Sequence, residues 1–241
     1  MIRAAAALLA MALTAAPAQA ETLRIGTEPD YAPYMFLDAK GQFTGFDKDL
    51  GDIICAQGAF DCEWVPMAFS DLIPAIQTGR IDIAISGMAS TQARARIVDF
   101  TIDYRPPGPA AGAFAALRPG LSADGLLAGV QIGTIQADYL ASAGHPHRTY
   151  PDSRSMIDAL RRGEVEVIFG GYGNIDQIIR DTDPDLRIIE LVEVPGYGTA
   201  IAVSRARKGL LPRLDSILTG LFADGTLDRL EQVWFPDGQD L

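Results

Sequence analysis

The chain has 241 residues, of which 48% are hydrophobic and 21% are charged, and its formal net charge is −11. This length and composition predict a globular chain with one large domain or two lobes of about 100 residues each. The negative charge and the lack of any Lys/Arg cluster in the sequence argue against nucleic acid as a partner.

Residues 1–20 have the pattern of a secretory signal peptide. An apolar run follows Arg3 and ends in an A-x-A cleavage pattern at residues 18–20. A membrane anchor is the alternative, but the apolar run is shorter than a membrane span requires. We therefore expect cleavage after Ala20 and an exported mature chain.

One helix–Gly–strand–Gly pattern occurs twice, in Ile73–Gly87 and in Ile157–Gly171. In each copy the apolar helix face ends at a glycine, Gly79 or Gly163, which predicts a helix C-cap. The β-branched run that follows has the composition of a buried parallel strand. The repetition predicts two units of the same architecture, and a chance match of two common βα patterns is the alternative.

A second repeated element opens each unit, because the strand-like residues 23–27 and 130–134 both end in Ile-Gly-Thr. In the first unit we also predict a helix at Asp47–Gln57 and a strand at Glu63–Val65. A Pro/Gly-rich stretch at residues 105–112 then breaks the pattern, and we expect a crossover there.

The second unit extends from Val130 to about Val194, and a turn at residues 195–198 precedes a predicted strand at Thr199–Val203. The apolar periodicity of Leu210–Phe222 predicts a helix, and a short helix follows through Trp234. Alternating strands and helices place the fold in the α/β class with mostly parallel sheets.

Two cysteines, Cys55 and Cys62, are the whole complement of the chain. In an exported protein such a close pair predicts a disulfide rather than a metal site. Two buried free thiols are the alternative. The disulfide would connect the end of a helix to the next strand.

Several short motifs follow one another in a fixed order along nearly the whole mature chain. They are residues 23–27 with 31–34, Gly45–Leu50, Leu72–Asp82, Ser86–Arg94, Val98–Phe100 and Ala223–Leu227. In this order and spacing they resemble the extracellular solute-binding proteins of family 3, the polar amino acid and opine type. The Cys55/Cys62 pair also resembles the disulfide of the histidine-binding members.

This resemblance implies a two-lobed type II periplasmic-binding-protein fold, with two hinge strands near residues 104–112 and 195–203. Lobe one is expected at residues 21–106 and 200–241, and lobe two at residues 107–199. It also implies a periplasmic, monomeric component of an ABC importer, which closes its lobes around an amino acid or related small carboxylate. An inner-membrane permease would then be its partner.

The resemblance assigns the ligand carboxylate to Arg94, whose planar guanidinium offers a fork of donors matched to a carboxylate. A solvated helix arginine is the alternative reading. Tyr31, Tyr34 and Phe69 correspond to aromatic walls around the ligand side chain, with ordinary core packing as the alternative.

The turn after the first repeated strand corresponds to the polar edge that meets the ligand head group, formed by Ser86 and the backbones of Gly87 and Met88. Ala89 replaces the hydroxyl residue that the family usually has. Gly171 replaces the aspartate that usually receives the α-ammonium group. We therefore expect either a ligand without a standard α-ammonium or a substitute acid.

Asp30 and Glu28 are the nearest candidates by sequence for such an acid. In lobe two the resemblance places a helix start against the ligand carboxylate, where free backbone N–H groups favour an anion. Two registers are open for this segment, and they make Thr134 and Gln136 equal candidates.

Two other functions remain as alternatives. One is an enzyme of the cyclohexadienyl dehydratase kind on the same scaffold, which requires a carboxyl general acid in the cleft. The position expected for that acid is Gly171, so we expect no catalysis. The other is a free-standing sensor that docks on a receptor. No cofactor and no metal site is expected, since His145 and His147 lack further ligands at metal-binding spacing.

Overall fold

The computed structural model describes residues 20–106, 110–181 and 183–236. Most of the expected signal peptide, residues 1–19, lies outside the described residues, as does the middle of the expected crossover, residues 107–109. Within the described ranges no helix is both long and apolar enough to cross a membrane.

The strands are short and alternate with helices along the chain. In chain order they are β1 (Glu21–Thr27), β2 (Asp30–Tyr31), β3 (Met35–Leu37), β4 (Phe43–Thr44), β5 (Phe60–Pro66), β6 (Ile83–Ala84), β7 (Asp99–Phe100), β8 (Ala110–Ala116), β9 (Ala128–Gln131), β10 (His147–Tyr150), β11 (Val167–Gly171), β12 (Arg187–Val194) and β13 (Ala202–Val203).

The helices cover the faces of the sheets. They are α1 (Phe46–Gly58), α2 (Leu72–Gln77), α3 (Gln92–Ala95), α4 (Ile135–Ser142), α5 (Ser153–Arg161), α6 (Tyr172–Asp181), α7 (Leu210–Ala223) and α8 (Thr226–Trp234), and a 3₁₀ turn at Phe69–Asp71 precedes α2.

Lobe one is built on a sheet of order β5-β1-β6-β13-β7. Strand β1 pairs in parallel with β5 and β6, whereas β13 is antiparallel to β6 and β7. The end of the chain thus returns to the first sheet, and α7 and α8 pack on α1. Leu23, Ile25 and Phe46 are fully buried in this core.

Lobe two is built on a sheet of order β10-β9-β11-β8-β12. Strand β9 is parallel to β10 and β11, and β8 is antiparallel to β11 and β12. Both sheets are therefore mixed. Strands β8 and β12 are antiparallel because β8 leads the chain into lobe two and β12 leads it back towards lobe one.

The two segments that cross between the lobes lie side by side. The N–H of Thr199 donates to the carbonyl of Arg105 at 2.9 Å, and the N–H of Tyr104 donates to the carbonyl of Thr199 at 2.8 Å. The guanidinium of Arg105 pairs with Glu231 at 2.6 Å and lies 3.9 Å from the ring of Phe235. The strand predicted at Thr199–Val203 is shorter in the structure, where β13 covers Ala202–Val203 and Thr199 pairs with Arg105 in an isolated bridge.

Local predictions from glycine and cysteine are confirmed. Gly79 and Gly163 follow α2 and α5 with φ of +71° and +72°, a conformation that glycine adopts without steric strain. Cys55 and Cys62 form a disulfide that joins α1 to β5. A small sheet of β2, β3 and β4, which the sequence analysis did not predict, carries Tyr31.

Candidate functional site

The main cavity lies between the two lobes, at the carboxyl ends of β1, β6 and β9, as expected for open α/β sheets. About 370 Å³ of space lies within it, which includes solvent at its open mouth. Its lining residues are Glu28, Tyr31, Phe69, Gly87, Ala89, Arg94, Gln131, Thr134, Ile135 and Gln136.

Arg94 projects into this cavity from α3, a single helical turn whose N-cap side chain, Thr91, accepts the Arg94 N–H. Its guanidinium donates to the carbonyls of Ala89 and Gly133, both at 2.8 Å, and lies 5.2 Å from the ring of Phe69. Burial lowers the pKa of Arg94. Among the described residues, no carboxylate lies within ion-pair distance of it.

Glu28 is the carboxylate of the main cavity, and its residue is only 3% exposed. It accepts hydrogen bonds from the Gln131 amide at 2.5 Å and from the backbone N–H of Phe69. Its own N–H donates to the Ser86 hydroxyl at 3.1 Å. Burial raises the pKa of Glu28 to about 7, and the neighbouring charge of Asp30 acts in the same direction.

A buried carboxylate fixes the edge of the cavity on lobe one. Asp47 is fully buried and accepts the Gly87 N–H at 2.6 Å and the Tyr104 O–H at 2.8 Å. Burial raises the pKa of Asp47 to about 7. Gly87 has φ of +55°, and a Cβ there would lie 2.9 Å from the Tyr31 ring, so this turn requires glycine.

Two of the three expected aromatic walls line the cavity, Tyr31 and Phe69. Tyr34 does not belong to the lining. It stacks behind Tyr31 with ring centroids 5.4 Å apart, is 7% exposed, and hydrogen-bonds to Arg105. The structure therefore places Tyr34 in the core, where it supports Tyr31.

The residues that line the main cavity do not include Ser86 and Met88, the other two members of the expected polar edge. The Ser86 hydroxyl accepts the Glu28 N–H. The Met88 side chain is fully buried, and the backbone carbonyl of Met88 accepts the Ala200 N–H. Both residues flank the turn at Gly87 and are buried. Gly87 and Ala89, on either side of Met88, form this edge of the cavity.

Lobe two contributes the start of α4. The Thr134 hydroxyl caps this helix by accepting the Ala137 N–H at 3.2 Å and donates to the Gln131 carbonyl at 2.8 Å. Gln136 lies in the first turn. Both Thr134 and Gln136 line the cavity, so the structure brings the two candidates together.

A side pocket adjoins the main cavity on lobe two and contains about 270 Å³ of space, including solvent at its mouth. Its lining residues are Tyr31, Gln131, Thr134, Gln136, Ser153, Met156, Phe169, Gly170, Gly171 and Asn174. A Cβ on Gly171 would meet the Tyr31 hydroxyl at 3.2 Å and the Gln136 amide nitrogen at 3.5 Å. Gly171 thus opens the side pocket.

Several direct hydrogen bonds connect the lobes across the cleft. Besides the Arg94–Gly133 and Glu28–Gln131 bonds, the Asn174 amide donates to the Ala32 carbonyl at 3.2 Å. The lobes are therefore in contact around the cavity.

In the described part of the chain, no group of three or more His, Cys, Asp or Glu side chains is placed to hold a metal ion.

The sequence analysis missed Gln131 and Ile135, and it named Glu28 only as a substitute acid. A signal for two of them was present, since Glu28 directly follows β1 and Gln131 ends β9. Polar residues at the carboxyl ends of strands in an α/β sheet point towards the ligand crevice. Ile135 gave no such signal.

Comparisons with known proteins agree with this architecture. Residues 23–237 match the bacterial extracellular solute-binding proteins, family 3. The ABC transporter arginine-binding protein 1 of Escherichia coli K12 is 31% identical over 245 residues, covering 96% of this chain and 97% of that protein.

Two solved structures are similar over most of the chain. One is a periplasmic His/Glu/Gln/Arg/opine family-binding protein from Silicibacter pomeroyi in complex with lysine, with a TM-score of 0.82, 30% identity, and coverage of 91% of this chain and 99% of that chain. The other is the Salmonella typhimurium periplasmic binding protein described for its high arginine specificity, with a TM-score of 0.82, 26% identity, and coverage of 90% and 100%.

Proposed function

The chain belongs to family 3 of the bacterial extracellular solute-binding proteins, and from this premise we propose that it is the periplasmic solute-binding component of an ABC importer. Its ligand is an amino acid or a related small carboxylate, held in the main cavity. The proposal includes export with cleavage after Ala20, action as a monomer and delivery of the ligand to an inner-membrane permease.

The observation that carries the proposal is the position of Arg94. Its guanidinium is half-buried between the lobes and hydrogen-bonds only to carbonyl oxygens among the described residues. A guanidinium has five N–H donors, so donors remain for a ligand. A carboxylate fits them in bidentate geometry and neutralises a charge that burial makes unfavourable.

Closure is the second component of the proposal. Lobe one, taken as residues 21–106 and 200–241, and lobe two, taken as residues 107–199, are joined by the paired segments at Arg105 and Thr199. A ligand that contacts both lobes gains all its contacts only when they are closed, so its binding free energy favours the closed state.

The test begins with mass spectrometry of ligand that remains bound through purification, followed by calorimetry with the identified compound. Arg94→Ala should weaken binding at least tenfold, since hydrogen bonds to charged groups contribute about 1.5–3 kcal/mol. Arg96→Ala is the matched control, because Arg96 is exposed and does not line the cavity. Unchanged affinity in Arg94→Ala would reject the role of Arg94.

An enzyme is the second candidate, and Glu28 is the observation that favours it. A buried carboxyl group with a pKa near 7 in a cleft has the properties of a general acid. Incubation of the protein with the co-purified compound distinguishes the two functions. A binding protein returns the compound unchanged, whereas an enzyme converts more of it than the molar amount of protein present.

A further inference from the structure

Two adjacent residues of the segment that crosses from lobe one to lobe two are connected to the wall of the main cavity. They are Tyr104 and Arg105, and both are buried. The Tyr104 hydroxyl donates to Asp47, which also accepts the N–H of Gly87 at the edge of the cavity. Arg105 has a separate connection to the cavity, which passes through Tyr34.

The guanidinium of Arg105 is held by three groups of lobe one. It binds the carboxylate of Glu231 on α8 with two hydrogen bonds, of 2.6 Å from Nη2 and 3.0 Å from Nε. Its carbon Cζ lies 3.9 Å from the centre of the Phe235 ring, and its Nη1 donates to the hydroxyl of Tyr34. Because a guanidinium is planar and its donors have a fixed geometry, the two bonds to Glu231 fix the direction of the third.

Tyr34 connects Arg105 to a wall of the cavity. Its ring stacks on that of Tyr31, with centroids 5.4 Å apart and an angle of 12° between the planes. Tyr31 lines both the main cavity and the side pocket. A Cβ on Gly87 would lie 2.9 Å from the Tyr31 ring and 3.1 Å from the Tyr34 ring, so the turn at Gly87 packs against both rings. The position of the Tyr31 ring therefore depends on Tyr34 and on this turn.

This inference rests on the proposed function and adds a residue to it. We infer that Arg105 is a positioning residue for ligand binding, which holds the ring of Tyr31 in place through Tyr34. The described residues that line the main cavity do not include Arg105, so it acts without touching the ligand. A wall that is already ordered loses less freedom when a ligand binds, which favours binding. The alternative is a purely structural role, in which Arg105 only holds α8 on lobe one.

Calorimetry on Arg105→Met is the first test. Methionine keeps an unbranched apolar side chain and removes the donors to Tyr34 and Glu231. The Glu231 side chain is 36% exposed, so its carboxylate can be hydrated in the variant, and a melting curve checks that the variant folds. The probe is the compound that most raises the melting temperature of the wild type among the twenty amino acids, their N-acetyl derivatives and small dicarboxylates. Its dissociation constant should rise about fivefold, the effect of one net hydrogen bond.

Arg24→Met is the matched control. Arg24 also forms two hydrogen bonds with a carboxylate of lobe one, that of Asp82, at 3.0 Å and 2.9 Å, and neither residue lines the cavity. Its loss should lower the melting temperature and leave the dissociation constant of the probe within about twofold of the wild type. Equal losses of affinity in Arg24→Met and Arg105→Met would show that any broken ion pair of lobe one weakens binding, and would overturn the positioning role.

Two further variants test the connection through the rings. Tyr34→Phe removes only the hydroxyl that accepts the Arg105 bond, and it should weaken binding by about the same factor as Arg105→Met. Tyr31→Leu keeps an apolar wall and removes the stacked ring. Adding Arg105→Met to Tyr31→Leu should weaken binding less than about twofold further, because the ring through which Arg105 acts is already gone.

The outcomes separate this inference from the proposed function. Wild-type affinity in Arg105→Met or in Tyr34→Phe overturns the inference and leaves the binding function standing. A full fivefold loss from Arg105→Met in the Tyr31→Leu background also overturns it, since Arg105 would then act elsewhere. If no compound raises the melting temperature of the wild type, the proposed function fails, and the inference fails with it.

Discussion

The two lobes contribute different chemistry to the same cavity. Lobe one supplies both charged groups, Arg94 and Glu28. Its buried Asp47 accepts the N–H of Gly87 at the edge of the cavity. Lobe two supplies neutral groups, chiefly Gln131 and Gln136. If the proposed function holds, lobe one determines which charges are recognised, and lobe two adds neutral hydrogen-bonding groups.

The largest expected effect on stability comes from removing the disulfide of lobe one, which lies away from the cavity. Replacing both Cys55 and Cys62 by Ala opens a short disulfide loop, which should lower the free energy of unfolding by about 2–3 kcal/mol. Neither residue lines the cavity, so the dissociation constant should stay within about twofold. Denaturant unfolding and calorimetry measure the two quantities, and a large loss of affinity would show that the framework and the site are coupled.

The next prediction tests whether Asp47 holds the turn at Gly87, at the edge of the cavity, in place before ligand binds. Asp47→Ala leaves the Gly87 N–H and the Tyr104 O–H without their acceptor, which should cost about 2 kcal/mol of stability and also weaken binding. Asp47→Asn keeps an acceptor oxygen and should retain more of both. If Asp47→Ala loses stability but binds normally, Asp47 is purely structural and the edge of lobe one is not fixed by it.

A smaller effect concerns pH. The pKa of Glu28 is raised from 4.5 to about 7 in the folded state. Between these two pH values Glu28 is therefore protonated in the folded protein and ionised in the unfolded chain. The contribution of Glu28 to stability is therefore full at acidic pH and is lost as the pH rises towards about 7. The negative charges of Asp30 and Asp152 oppose the ionisation of Glu28.

Glu28→Gln removes this titration while keeping an acceptor oxygen. The variant should melt about 3 °C above the wild type at pH 8 without ligand, and the difference should shrink at pH 5. Glu63→Gln, at an exposed position of β5, is the control. A difference in melting temperature that does not change between these pH values would show that Glu28 is not protonated in the folded protein.

The smallest effect belongs to lobe two. Gln131→Ala removes one hydrogen bond across the cleft, to Glu28, and should weaken ligand binding only a few-fold, since such a bond contributes about 1 kcal/mol net. Calorimetry on Gln131→Ala and Arg94→Ala with the same ligand compares the two losses of affinity. A loss as large as that of Arg94→Ala would mean that lobe two recognises the ligand as strongly as lobe one.

Much of the local structure was predictable from the sequence. The glycines after α2 and α5, the periodicity of α1 and α7, and the Cys55–Cys62 disulfide depend on neighbouring residues along the chain, and all appear in the structure. The motifs also identified the family. Of the predicted residues that line the cavity, Gly87 lies shortly after β6, Tyr31 lies in β2 and Arg94 reaches the cavity from α3.

Only the tertiary structure decided which neighbouring residues face the cavity. Tyr34, Ser86 and Met88 lie within three residues of lining residues, yet they point into the core, because side-chain direction depends on packing against distant segments. The pairing of Glu28 with Gln131, 103 residues apart, could not be predicted for the same reason. Sequence determines local conformation and the charges available, but which charged and polar groups meet across the cleft depends on how the two lobes lie against each other in the tertiary structure.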